Sequence, residues 1–381
     1  MIDLTEQQKQ ALEFLNSDEK YLILSGSAGT GKTTVIAEFC KSQFNVLLTA
    51  PTHKAVKVLS TKVNKPCKTL HSYLRLERKL VGSRYEYVQD PFKELDKINL
   101  LIVDEASMID DFLLNCILEV GVKTIFVGDN KQLNPVGYDE SPVFFKGFNN
   151  YELTEIIRHQ NDIIDLSRNL NWLYEKLNGV NFSWLDPSDI DLSYLVEANG
   201  SDKAKFITWR NSIVTAVNTL VRQMIYGDKP NQIEFGEVLL FNSPFKDLYR
   251  NNDELKVESL TNSHVYFNDA DIIFPYIDTL LVNGKVHVVD NFNFKKHNSN
   301  INDLKERAIN KTIGWDKYYK YIESFADVQY NHAITVHKSQ GSTYDYAFVN
   351  VSDIMLNKNN KERDRMLYTA ITRAKCNNFL M

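Results

Sequence analysis

The run Gly26-Ser27-Ala28-Gly29-Thr30-Gly31-Lys32-Thr33 restricts the fold of this chain more than any other feature. It follows the apolar stretch Tyr21–Ser25 and opens a helix-compatible segment from Thr34 to Ser42, so the local order is strand, loop, helix. Glycine lets backbone N–H groups turn inward around phosphate oxygens, Lys32 brings positive charge to the β- and γ-phosphates, and the Thr33 hydroxyl suits Mg²⁺. Residues Gly26 to Thr34 are therefore the candidate nucleotide-binding loop.

Such a unit belongs in a parallel sheet, and the rest of the chain supplies the other strands. Apolar runs at Val46–Thr49, Leu100–Val103 and Thr124–Val127 alternate with helical patterns at His53–Val63 and Asp110–Val120, which implies an α/β structure with helices on both faces. At roughly 150 residues per domain, 381 residues suggest two domains or slightly more. Between Leu76 and Lys97 two alternating runs flank Gly82-Ser83, the pattern of a small inserted β-hairpin. Residues 181–202 hold five acids and no Lys or Arg and read as a solvated connection. A strand at Phe206–Trp209 and a helix at Asn211–Tyr226 follow, ended by Gly227-Asp228-Lys229-Pro230. From 231 to 326, β-like runs at Glu237–Phe241, Ile272–Phe274, Thr279–Val282 and Val286–Val289 fit a small antiparallel insertion, with the Asn-rich piece Asn291–Asp303 as a loop. The α/β style resumes near Ala333 and runs to Leu380.

Forty-four Lys and Arg against 49 Asp and Glu give a net charge of −5, which alone argues against a phosphate-rich partner. The local distribution reverses that argument. From His53 to Arg84 nine Lys and Arg face a single acid, Glu77, an electrostatic footprint suited to nucleic acid. No apolar run approaches the ~18 residues of a membrane span, and Met1–Glu6 has neither basic nor apolar leader character. A cytoplasmic protein with no membrane partner is expected. Cys40, Cys67, Cys116 and Cys376 are too dispersed for a zinc pattern and too few for a disulfide framework, and they read as reduced, mostly buried thiols.

A nucleotide loop needs acids at the end of a neighbouring strand, and Leu100–Val103 runs into Asp104-Glu105. Asp104 suits the metal, and Glu105 is placed to orient or deprotonate a water for in-line attack on the γ-phosphate. The next strand ends in Gly128-Asp129-Asn130-Lys131-Gln132-Leu133-Asn134-Pro135-Val136. At this point the series resembles the superfamily 1 helicases, whose third motif has this form, and the resemblance makes Gln132 a γ-phosphate sensor. It continues in Ala333–Thr343 and Leu367–Ala374, similar to motifs V and VI, and in Leu153–Arg158, similar to the segment carrying a further phosphate-contacting arginine. Arg158 and Arg373 then meet the charge spread over the transferring phosphoryl oxygens, a need the first domain leaves open. Gly341 joins the nucleotide-binding set, and Leu4–Ala11 resembles the family's Gln motif, with Gln8 placed to pair with adenine.

The same resemblance assigns a nucleic-acid track. Ala50–Ala55 is similar to motif Ia and Lys68–Ser72 to motif Ib, which makes Pro51, Thr52, His53, Thr69 and His71 DNA-binding candidates, His53 by stacking on a base and Thr69 by bonding a phosphate. The inserted hairpin stands where the family has its strand-separating pin, with Tyr87, then Tyr85, as the ring that meets the fork. Asn211, Thr335 and His337 extend the track in the second half. The stretch Lys305–Tyr321 either enlarges this surface or packs the insertion.

The resemblance covers nearly the whole chain and is strongest to the Dda branch of the RecD-like helicases. It implies an α/β fold of two RecA-like P-loop motor domains on parallel sheets. These are domain 1A at 1–158 with a pin hairpin at about 77–97, domain 2A at 159–230 and 327–381, and an SH3-like 2B insertion at 231–326. It also implies an ATP- and Mg²⁺-dependent monomer that moves 5′-to-3′ on single-stranded DNA and unwinds forks in replication, recombination or repair, beside single-strand-binding or replisome proteins. An RNA helicase or remodeller on the same motor, and a nucleic-acid-binding ATPase switch that does not unwind, are the alternatives.

Overall fold

The computed structural model describes residues 4–90, 95–135, 137–138, 140–155, 182–184, 192–227, 233–246, 248–269, 272–289 and 294–381. Six strands form the first sheet: β1 (Tyr21–Gly26), β2 (Val46–Ala50), β3 (Cys67–Thr69), β6 (Leu100–Val103), β7 (Lys123–Gly128) and β8 (Asn149–Leu153). Their order is β3-β2-β6-β7-β1-β8, and every pairing is parallel. All residues of β2 and β6 are buried without alternation, as strands covered on both faces require. One face packs on α1 (Glu6–Leu15), α2 (Lys32–Phe39) and α3 (His53–Lys62) through Leu15, Phe39 and Leu59. The other packs on α4 (Leu70–Tyr73) and α5 (Asp111–Val120) through Tyr73, Leu114 and Ile117. The α/β alternation of apolar runs thus appears as a parallel sheet, with strand ends within a residue or two of the sequence reading.

Between β3 and β6, β4 (Leu76–Val81) and β5 (Arg84–Gln89) form an antiparallel hairpin turning at Gly82-Ser83. The second parallel sheet has the order β17-β10-β18-β19-β9, from β9 (Phe182–Trp184), β10 (Ala204–Thr208), β17 (Ala333–Thr335), β18 (Tyr344–Val349) and β19 (Ala374–Leu380). Inserted between β10 and β17 are a small sheet β12-β11-β16 (Glu254–Lys256, Val238–Phe241, Val328–Tyr330) and a meander of β13 (Leu260–Asp269), β14 (Ile272–Val282) and β15 (Val286–Val289).

Three expectations are corrected. Residues 181–202 are more than a solvated connection, because β9 adds an edge to the second sheet and the Ser193–Ala198 helix buries Leu195 and Ala198. From Phe294 onward the Asn-rich piece expected as a loop is helical: a helix spans Phe294–Ile309 and buries His297, Asn300, Leu304 and Ala308 at helical spacing. Its buried stripe escaped a hydrophobic reading because half of it is polar; Asn300 Nδ2 donates to Tyr321 Oη at 3.0 Å, and His297 Nδ1 lies 3.2 Å from the same oxygen. All four cysteines are free as expected, but Cys376 is exposed and Cys67 half-buried. Among the described residues no helix is long and apolar enough to cross a membrane.

Candidate functional site

The loop after β1 is shaped by two glycines. A Cβ on Gly26 would lie 2.6 Å from the Leu153 carbonyl oxygen in β8 and 2.8 Å from Thr30 Oγ1, so only glycine lets the chain leave the sheet this close to its neighbour. Gly31, at φ 83°, is the N-cap of α2 and makes no side-chain cap, so no capping side chain competes with an anion for the N–H groups of Lys32 and Thr33 at the helix start. Lys32 Nζ donates to the carbonyl oxygens of Gly26 (2.6 Å) and Ser27 (3.0 Å), and Thr30 Oγ1 donates to Ser27 O at 2.9 Å. The ammonium and the inward-turned backbone therefore share one concavity.

Asp104 and Glu105 stand at the end of β6, facing that concavity. Asp104 Oδ1 accepts the Glu105 N–H at 2.9 Å. Glu105 sits at φ 54°, ψ 45°, a left-handed conformation that costs a non-glycine residue on the order of 1–3 kcal/mol and is tolerated where a site needs it. Burial, and then the Asp104 charge, push Glu105 up to about 7, while Arg373 and Lys32 pull it down; burial raises Asp104 as well. Thr33 and Asp104 offer a hydroxyl and a carboxylate on one wall, the hard-oxygen donor set that Mg²⁺ takes when phosphate oxygens supply the rest. Gln132 is buried on the same wall, and its Oε1 has no hydrogen-bond partner. Gln8 reaches the wall from α1, where its Oε1 closes a capping box by accepting from Thr5 N.

The opposite wall comes from the second sheet. Gly341, Thr372 and Arg373 line it, closing a cleft of about 370 Å³. Arg373 is buried; Nε donates to Thr369 O at 2.8 Å, Nη1 to Ser342 O at 3.2 Å and Nη2 to Thr372 Oγ1 at 3.1 Å. Arg158 lies outside the described residues.

The candidate track residues fall into two kinds. Thr52, Thr69 and Thr335 each end a strand-to-helix step and cap the helix that follows, accepting from Ala55 N (3.2 Å), Ser72 N (3.2 Å) and Lys338 N (3.3 Å). Thr69 and Thr335 are buried, so their hydroxyl oxygens serve the fold first. Pro51 is half-buried, whereas His53, Asn211 and His337 are exposed. Although His53 and His337 keep an exposed edge, the surrounding protein partly desolvates the imidazoles of His53, His71 and His337 and holds them below their usual range, which favours the neutral ring near pH 7. His71 packs on Tyr87 with ring centroids 4.6 Å apart, which places Tyr87 at the base of the hairpin and not at its tip. Tyr85 is committed elsewhere: its hydroxyl donates to Glu323 Oε1 at 2.7 Å, and its ring lies 4.5 Å from that of Tyr319, whose own hydroxyl donates to Ser83 O at 3.0 Å. Tyr319 thus braces the hairpin against the Trp315–Ile322 helix. At least five of the nine basic residues in 53–84, Lys54, Lys68, Arg75, Lys79 and Arg84 among them, have carboxylate partners, which moderates the footprint read from the sequence.

Residues 3–172 match a family model described as an AAA domain, and residues 330–381 match the UvrD-like helicase C-terminal domain. The chain is 26 % identical over 442 aligned residues to the ATP-dependent DNA helicase dda of Enterobacteria phage T4, covering 98 % of both chains. It belongs to the superfamily 1 helicases. A mimivirus protein, R530 of Acanthamoeba polyphaga mimivirus, is 28 % identical over 97 % of the chain and 98 % of its own length, and RecD of Buchnera aphidicola is 26 % identical over 93 % of the chain and 69 % of its own. The fold is also that of Pif1 helicases: one described in terms of DNA unwinding at forked dsDNA by two coordinating Pif1 helicases aligns over 100 % of the chain and 92 % of its own at TM-score 0.56 and 18 % identity, and that of Candida albicans over 100 % and 94 % at 0.53 and 17 %.

In this superfamily 1 helicase the motif residues depend on others whose partners the sequence did not reveal. Asp353, buried in the Val351–Ile354 helix, accepts from Thr208 Oγ1 (2.6 Å), Trp209 N (2.9 Å) and Arg210 N (2.9 Å), and it pairs with the Arg210 guanidinium. It fixes the turn that presents Asn211. Lys54, next to His53, spans to the second half of the chain, with Asp202 Oδ1 at 3.4 Å and Glu254 Oε1 at 3.3 Å.

Proposed function

We propose that the chain is an ATP-dependent DNA helicase that moves 5′-to-3′ along single-stranded DNA and separates forked DNA in replication, recombination or repair. The shared cleft carries this reading. The loop and acids of the first sheet and Arg373 of the second are opposite walls of one site, so the chemistry and the relative position of the two sheets depend on each other. The 5′-to-3′ direction rests on the resemblance to the RecD-like branch, which the similarity to dda and RecD supports.

In this account ATP lays its phosphates against the open N–H groups of the loop, and Lys32 turns from the Gly26 and Ser27 carbonyls to the β- and γ-oxygens. Thr33 and Asp104 hold Mg²⁺, which when bound neutralises charge on the phosphate oxygens. Glu105, at the end of β6 facing the loop, orients the attacking water and takes its proton. Gln132 reads both partners, its Nε2 donating to a γ-phosphate oxygen and its unpaired Oε1 accepting from the attacking water, and Arg373, with Arg158, meets the transition-state charge. The strand runs over Pro51, Thr52, His53, Thr69 and His71 and on to Asn211, Thr335 and His337, with phosphates at the capped helix starts and bases against the neutral imidazoles. The hairpin, braced through Tyr85, divides the duplex, and Tyr87 meets the emerging base.

ATP hydrolysis measured against added single-stranded DNA tests this. Strong stimulation in the wild type, absent in Lys32→Ala, is expected. Stimulation by RNA alone converts the reading to an RNA remodeller, and hydrolysis indifferent to any nucleic acid overturns it.

A further inference from the structure

The phosphate loop of the first sheet is held in part by a side chain from the second. Tyr368 is buried on the Asn360–Ile371 helix at 1 % exposure. Its hydroxyl donates to Asp129 Oδ2 at 2.6 Å and accepts the Ala28 N–H at 3.1 Å. One oxygen thus joins the backbone of the nucleotide loop, the carboxylate that begins the Gln132 loop, and a helix of the second half that ends two residues before Arg373. Asp129 Oδ1 is fixed independently by the Lys131 N–H at 3.0 Å. One turn earlier on the same helix face, Arg365 donates to the carbonyls of Asn130 and, at 2.9 Å, Gln132. Tyr368 is not among the residues lining the cleft, although Ala28 and Asp129 are.

We propose that Tyr368 is a positioning residue, coupling the nucleotide loop and the Gln132 sensor to the placement of Arg373. Any movement of the Asn360–Ile371 helix changes three things together: the aim of the Ala28 N–H, the seat of Asp129, and the distance of Arg373 from the cleft. The ground-state phosphates meet the remainder of the loop whether or not this bond exists, whereas the transition state needs all three elements in register. Its loss therefore acts on transition-state affinity more than on nucleotide affinity. The inference deepens the helicase reading, but its test needs no DNA, so either can fail alone.

Tyr368→Phe keeps the buried ring and removes only the hydroxyl. The test compares binding of ADP with that of ADP–aluminium fluoride, both with Mg²⁺ and without DNA, in wild type, Tyr368→Phe, Asp129→Ala and the double variant. Tyr368→Phe is expected to bind ADP within about threefold of wild type yet lose about tenfold or more in affinity for the transition-state analogue, with kcat falling in step. Asp129→Ala should lose a similar factor, and the double variant should be no worse than either, as for two ends of one link. Retained ADP affinity shows that each variant is folded. Unchanged analogue affinity in Tyr368→Phe, or losses that multiply in the double variant, would overturn the proposal.

Discussion

Removal of the Asp353 carboxylate is expected to loosen the second sheet at the point that presents Asn211. The side chain is buried and receives the Thr208 hydroxyl and the N–H groups of Trp209 and Arg210, at 2.6, 2.9 and 2.9 Å. Asp353→Ala leaves those donors facing a cavity. The Arg210 guanidinium is half-exposed and re-solvates at little cost, so the loss comes mainly from the other three donors. Stripping one partner from a buried charged network costs about 3–5 kcal/mol, and at ~2–4 °C per kcal/mol for a unit of 150–250 residues the melting midpoint falls by roughly 6–20 °C. Asp353→Asn keeps one acceptor and should lose about half as much, since charge-assisted hydrogen bonds are worth ~1.5–3 kcal/mol. The pH dependence has a definite sign. Burial alone would raise the carboxyl, but the bonds from Thr208, Arg210 and Trp209 outweigh it and hold Asp353 below its ordinary 3.8. Its contribution is therefore complete above that value and is lost only as pH falls through the depressed one. The gap between wild type and Asp353→Ala in calorimetry should stay constant from neutral pH down to about pH 5. A midpoint within about 2 °C of wild type would refute the reasoning.

Other outcomes follow from the same geometry. Glu105→Gln should bind ATP normally while kcat drops by about 10²–10⁴, the usual worth of a positioned general base, as read by nucleotide titration beside steady-state hydrolysis. Tyr87→Ala should lower strand separation more than DNA-stimulated ATPase, because it stands off the cleft; an equal fall in both would assign the ring to packing against His71. His332 is buried, and burial, then Lys205 and Arg222, lower its pKa to about 3 from 6.5. The fold binds only the neutral ring, so stability is whole above 6.5 and declines as pH falls toward 3, by up to ~1.4 kcal/mol per pH unit. Urea midpoints at pH 7 and 5 should show this drop, and it should shrink in His332→Gln.

The first sheet was legible because strands buried on both faces are short apolar runs, and the nucleotide loop because its glycines are required by contact, as the 2.6 Å approach at Gly26 shows. The Phe294–Ile309 helix was hidden by His297 and Asn300, polar residues whose burial depends on a tyrosine hydroxyl more than 20 positions away. The roles of Asp353, and of Tyr368 within the Leu367–Ala374 motif, were missed for a related reason. Their partners come from segments distant in sequence, and neither residue type departs from what a solvated or core position accepts. The hairpin was correctly placed by Gly82-Ser83, but its rings could not be assigned without knowing that Tyr319 and Glu323 meet Tyr85. Net charge misled twice: the average concealed a basic stretch, and the stretch itself is partly spent on internal ion pairs such as Lys68 with Asp96 at 2.6 Å.

The claim at the centre of this account is that hydrolysis between the two sheets drives movement along one DNA strand. Displacement of a labelled strand from duplexes with a 5′ or a 3′ single-stranded tail, with ATP and Mg²⁺, tests it most directly. The account predicts displacement from the 5′-tailed duplex by wild type and none by Lys32→Ala. Absence of displacement from either duplex by an enzyme that hydrolyses ATP on the same DNA would contradict it.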